Sequence, residues 1–215
     1  MTYGSFYFVE GKMSSRMKEK FNQRNELILQ KAEKLIKAKG YQNIKMIDIA
    51  EALDIAKGTL YLHFKSKESL VFSIVKPKIV QFHKSVEAIS CCDKTAKHKV
   101  INIIREGYKS DFFEFVLASF PDMGAVFSED HNRELSSIQQ KIIESFKHVI
   151  EEGMVSKCFG VKAPTNFLAL QLMQLFDPLV YSSLVYKGDV SHEDFVQYST
   201  VYFLNAIKYE GDKKL

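Results

Sequence analysis

The chain has 215 residues, 46% of them apolar and 26% charged, with only 10 Gly and 4 Pro, a composition that excludes disorder and allows one large domain or a small one joined to a larger. Three cysteines, two of them adjacent as Cys91 and Cys92, exclude a disulfide framework; no apolar stretch reaches about 18 residues and the first ten lack a basic n-region, so a cytoplasmic chain with no membrane span is expected. The net charge of +4 is uneven, with 13 Lys+Arg against 7 Asp+Glu in residues 1–67 and 17 against 19 in residues 68–215, which predicts a polyanionic partner for the N-terminal segment.

Long runs between the few Gly and Pro predict an all-α fold. Residues 1–21 read as a mobile basic arm: an aromatic run, then Lys12, Arg16, Lys18 and Lys20 without an amphipathic face. From Asn25 to Lys39 the apolar residues Ile28, Ala32, Leu35 and Ile36 recur at helical spacing, and Gly40 supplies the stop. Met46, Ile49, Ala50 and Leu53 predict a short helix, and a break at Asp54-Ile55-Ala56 separates it from Lys57–Phe64. Ala50 is the small residue where two helices meet, Asp54 the left-handed turn residue four positions later, and Ile49, Leu53, Ile55 and Leu60 the apolar underside of a helix-turn-helix. Ser66 caps a further helix that runs beyond Pro77 with a kink or break there. Downstream, helices are expected at about 95–120, 132–152, 164–186 and 192–208.

At this point the residues Gly40-Tyr41, Asp48-Ile49-Ala50 and the run Lys57-Gly58-Thr59-Leu60-Tyr61-Leu62-His63-Phe64-Lys65-Ser66-Lys67-Glu68-Ser69-Leu70 resemble the tetracycline-repressor (TetR) family. The resemblance covers about residues 22–82 and implies a DNA-binding domain of three helices there, with residues 83–215 forming a larger helical domain for effector binding and dimerisation. It also implies a repressor that a small apolar or amphipathic effector releases from a roughly palindromic double-stranded operator. Carried over to this sequence, Lys57 and Thr59 face base edges, Gly58 allows close approach, and Tyr61, His63 and Lys67 reach phosphate. Lys45 and Ala56 stand where Ser or Thr commonly cap the two short helices, and Ile47 where a polar residue often meets phosphate; Lys45 is left as a point charge for the backbone. These departures favour a rival reading, a helical ligand-binding protein without operator binding, which the intact Lys57–Lys67 pattern opposes. A DNA-binding factor without an effector would require a solidly packed second domain.

In the C-terminal part, Phe167, Leu168, Leu172, Leu175 and Leu179, with Phe195, Tyr198, Tyr202 and Phe203, exceed what one core needs and are expected at a homodimer interface. Surplus aromatics predict an effector pocket lined by Phe112, Phe115, Phe120, Met123, Phe127, Phe176 and Tyr181, with Asp177 as a polar fixture or merely a solvent-facing residue beside Pro178. The six His are scattered, Cys91-Cys92-Asp93 reads as a redox or soft-metal sensor or, since adjacent cysteines usually point apart, as thiols merely tolerated near a helix joint, and no phosphate loop or nucleophile elbow occurs, so no metal, cofactor or enzymatic activity is expected.

Overall fold

The structure is a computed structural model that describes residues 15–119 and 127–208. Among these residues it is built from helices: α1 (Ser15–Lys39), α2 (Met46–Ala52), α3 (Lys57–His63), α4 (Lys67–Cys91), α5 (Ala96–Lys109), α6 (Asp111–Ser119), α7 (Glu129–Val155), α8 (Thr165–Gln174), α9 (Pro178–Tyr181) and α10 (His192–Ala206). No single one of them is long and apolar enough to cross a membrane; only α8 with the segment after Pro178, bent by 40° between them, passes by length and composition.

Local chemistry sets the joints. Gly40 stops α1 at φ 79° and Asp54 makes the turn after α2 at φ 53°, the left-handed conformation that its short polar side chain tolerates better than most. Ser66 accepts from the Ser69 N–H at 3.0 Å and Ser69 Oγ receives the Ser66 N–H at 3.2 Å, a reciprocal cap that starts α4. α4 then continues through Pro77 without ending. The single helix expected over 95–120 is instead two, because Ser110 leaves helical dihedrals (φ −68°, ψ 142°) and its hydroxyl accepts from the Phe113 N–H at 3.1 Å, capping α6. The 164–186 helix is likewise divided: Asp177 caps α9, accepting from the Leu179 N–H at 2.7 Å, and a π-helical turn follows over Ser182–Tyr186.

Two apolar cores result. Ile28, Ala32 and Ile36 of α1, Ile49 and Ala50 of α2, Leu60 and Phe64 around α3, and Leu70, Val71, Ile74 and Val75 of α4 form one. Ile79, Phe82 and Val86 of α4 join α5, α7, α8, Tyr181 and α10 in the other. The cores divide along α4 around Pro77, with Val75 in the first and Ile79 in the second. α6 lies between them: Phe115 is fully buried in the first core, Phe113 is buried in the second, and Phe112 packs against both. That is why more than one face of this helix is apolar.

α1 departs from expectation at its start. It begins at Ser15, ten residues before the start expected at Asn25, so residues 15–21 of the segment read as an arm are helical. The remainder of that segment lies outside the described residues.

Candidate nucleic-acid interface

The turn at Asp54 seats α3 on α1 and α4 through buried Leu60 and Phe64, which leaves the rest of the short helix uncovered. Lys57 and Gly58 are exposed at its N-terminus, and nothing lies within 4 Å of where a Gly58 side chain would begin. Thr59 is half-buried and Tyr61 exposed; the Lys57 ammonium sits 5.8 Å from the Tyr61 ring centroid. Lys67 opens α4 with its ammonium 3.8 Å from the Tyr41 ring centroid, a contact that holds the cation near the end of α3. Burial pushes the Tyr41 phenol up, and the Glu68 carboxylate adds to this, so the ring stays neutral. Lys45 is exposed at the start of α2, where its backbone N–H donates to Asp48 Oδ2 at 2.7 Å. The acid three residues on thus supplies a cap that the Lys45 side chain does not. Ala56 contributes no side-chain bond at the start of α3.

His63 is placed differently from its expected phosphate role. Its Nδ1 donates to Asn25 Oδ1 at 2.7 Å, and its ring stacks on Phe21 with centroids 4.1 Å apart and planes 18° from parallel. Burial lowers the imidazole pKa below its ordinary value, and the nearby Arg24 charge lowers it further. The side chain therefore ties α3 to the N-terminal half of α1. Periodicity missed this joint because Phe21 and Asn25 precede the stripe that marks α1.

The expected dimer set splits by exposure. Leu168, Leu172, Phe195 and Phe203 are buried within the chain's own core and Leu175 is half-buried. Phe167, Leu179, Tyr198 and Tyr202 are exposed, joined by Leu170, Val180, Leu184, Tyr186 and Val201, which the sequence reading did not single out.

The expected pocket set is divided between the two cores. Phe115 and Phe127 pack with the first core, Phe176 and Tyr181 with the second, Phe112 bridges them, and Phe120 and Met123 lie outside the described residues. Asp177 is committed to capping α9. Around Tyr108 the rings instead form a lattice, with Phe113, Phe176, Tyr181 and Phe195 at centroid distances of 5.1 to 6.0 Å. Burial pushes the Tyr108 phenol up to about 12, and its hydroxyl donates to the Leu175 carbonyl. Burial also raises the Tyr181 phenol, whose hydroxyl lies 2.8 Å from His192 Nδ1. A separate cleft of about 510 Å³ opens between α1, α4 and the α5–α6 joint, lined by Glu33, Ser73, Pro77, Lys78, Phe82 and Asp111 among others.

Comparison with known proteins places this geometry. Residues 28–74 match the family model described as bacterial regulatory proteins, tetR family. The fatty acid metabolism regulator protein of Bacillus subtilis is 29% identical over 120 residues, which span 56% of this chain and 59% of that protein's own length. Among solved structures, a tetR-family regulatory protein from Rhodococcus RHA1 superposes with a TM-score of 0.74 at 19% identity, covering 87% of this chain and 98% of the other. The regulator AibR, solved in complex with isovaleryl coenzyme A and operator DNA, gives a TM-score of 0.68 at 17% identity over 83% and 97%.

Proposed function

We propose that the chain, whose residues 28–74 match the tetR family of bacterial regulatory proteins and whose fold is that of solved tetR-family structures, is a dimeric transcription regulator that grips operator DNA through α3 and lets go when a small molecule enters its C-terminal domain. The observation that carries the reading is α3 itself, anchored by buried Leu60 and Phe64 and presenting Lys57, Gly58 and Tyr61 to the outside. Lys57 at its N-terminus offers donors to guanine O6 and N7, the half-buried Thr59 a hydroxyl and a methyl group, and Tyr61, Lys67 and Lys45 donors to phosphate oxygens. The exposure of Phe167, Leu179, Tyr198 and Tyr202 supports a two-fold interface, which would set the two α3 helices at successive major grooves.

For the effector we favour an amphipathic acyl compound. A relative is named a fatty acid metabolism regulator and a solved neighbour holds isovaleryl coenzyme A, and the ring lattice around Tyr108 is apolar with a few polar groups, Ser199, His192 and the Leu175 carbonyl, at its edge. Entry of an acyl chain there would separate rings of the second core and shift α6, which also belongs to the first. For a 100-fold loss of operator affinity the ligand must favour the released state by about 2.7 kcal/mol.

Genomic footprinting followed by anisotropy titrations with and without acyl thioesters tests the reading. A protected, roughly palindromic site whose affinity falls steeply with salt and drops on adding ligand is expected. A chain that protects no site and shows no salt-dependent DNA binding would remove it.

A further inference from the structure

We propose that the N-terminal third of α1 is a second DNA-contact element, a basic ridge of Arg16, Lys20 and Arg24 that grips the phosphate backbone beside the groove read by α3. The inference rests on the operator-binding reading and extends it to a surface outside the helix-turn-helix.

Three observations converge. First, α1 continues for three turns ahead of Ile28, its first buried residue, and residues 15–24 are all exposed, so these turns serve no core. Second, Arg16, Lys20 and Arg24 are spaced i, i+4, i+8. At 100° per residue they share one flank, about 12 Å long by the rise of the helix, a stretch over which duplex DNA presents several phosphates. None of the three forms an ion pair among the described residues. Elsewhere on α1 this is not so: Lys37 is bound to Glu33 and Glu114. Third, the ridge is fastened to the recognition helix. Phe21 stacks on His63 and Asn25 holds the His63 ring, so the C-terminal end of α3 and the basic turns of α1 are one rigid surface. Arg24 lies close enough to His63 to lower its proton affinity. An arm on a flexible tether would lose entropy on binding, whereas a helix already clamped to α3 presents its cations preorganised.

Because phosphate contacts carry no sequence information, the ridge should add affinity and footprint length without base preference. The test is anisotropy of the full chain on its footprinted operator and on a random duplex, over a salt series, with hydroxyl-radical footprinting alongside. Relative to wild type, the Arg16→Ala/Lys20→Ala/Arg24→Ala variant should lose about 0.9 from the slope of log K against log salt for each contact removed. The loss should be equal on both duplexes, and protection should vanish only at the operator flanks. A variant with Arg16→Lys and Arg24→Lys should keep the slope, and Phe21→Ala, which frees the ridge from α3, should weaken binding with the charges intact. Circular dichroism of each variant confirms the fold. An unchanged slope and unchanged flanks in the triple variant would overturn the proposal. Failure of the operator reading would look different, with ridge variants weakening random-duplex binding while Lys57→Ala leaves base preference untouched; absence of any DNA binding by wild type would end both.

Discussion

Glu33 sits where three helices meet, bonded to Lys37 of its own helix at 3.2 Å and to Lys78 of α4 at 3.0 Å, with Lys37 in turn on Glu114 of α6 at 2.8 Å. Burial alone would raise its carboxyl pKa, but the hydrogen bonds and charges of Lys78 and Lys37 outweigh that and hold it below the ordinary 4.5. A depressed acid stabilises the fold fully above its unfolded value and loses that contribution as pH falls through the folded one. Glu33→Gln should therefore cost roughly 1 kcal/mol at neutral pH, and melting midpoints of variant and parent should converge below about pH 4; a gap that persists in acid would assign the cost to packing. A second single-residue test concerns Gly107, where a Cβ would overlap the Phe176 ring. That ring is itself held by Phe82, Tyr108 and Phe146, so it cannot step aside. Gly107→Ala should cost about 1–3 kcal/mol, read as a fall of several degrees in thermal midpoint.

The helices themselves were mostly legible, because apolar spacing marks any helix that covers a core. Ile28, Ala32 and Ile36 marked the body of α1, and the Asp54 turn was found from Ala50 and the apolar residues around it. The ends and breaks were not. The turns before Ile28 contact no core, and good helix formers such as Lys, Arg, Met and Glu extend α1 there without leaving an apolar pattern. Ser110 divides 95–120 by a cap that is indistinguishable in sequence from a serine inside a helix. The same limit affected the sites. The face of α3 follows from local sequence, whereas Phe115 was expected in a pocket because nothing local distinguishes an aromatic of one core from that of another. An element-level prediction follows from the uncapped start of α3: Ala56 has the extended backbone of a cap (φ −62°, ψ 141°) and no oxygen to offer. Ala56→Ser should stabilise by about 1 kcal/mol, a rise of roughly 2–4 °C in thermal midpoint for a chain of this size. If the midpoint does not rise, the α3 N–H groups already have partners.

At the scale of the molecule, the exposed apolar side chains of α8, the segment after Pro178 and α10 make up the set on which the proposed dimer depends. Tyr202→Glu with Phe167→Glu places charges at two of its exposed aromatics while leaving the buried Leu168, Leu172, Phe195 and Phe203 untouched. Sedimentation should then show monomers at micromolar concentration with helical content intact, and operator affinity should fall to that of a single half-site. A dimer that survives both charges would move the interface elsewhere. The position of α6 has a different consequence. With Phe113 in one core, Phe115 in the other and Phe112 against both, neither core can open without exposing apolar surface of the other. The two halves are thus expected to melt as one cooperative unit despite the proline between them. The most protected amides of α1 and of α7 should exchange with solvent at a common limiting rate, and Phe115→Ala should accelerate exchange in the half that Phe115 does not touch.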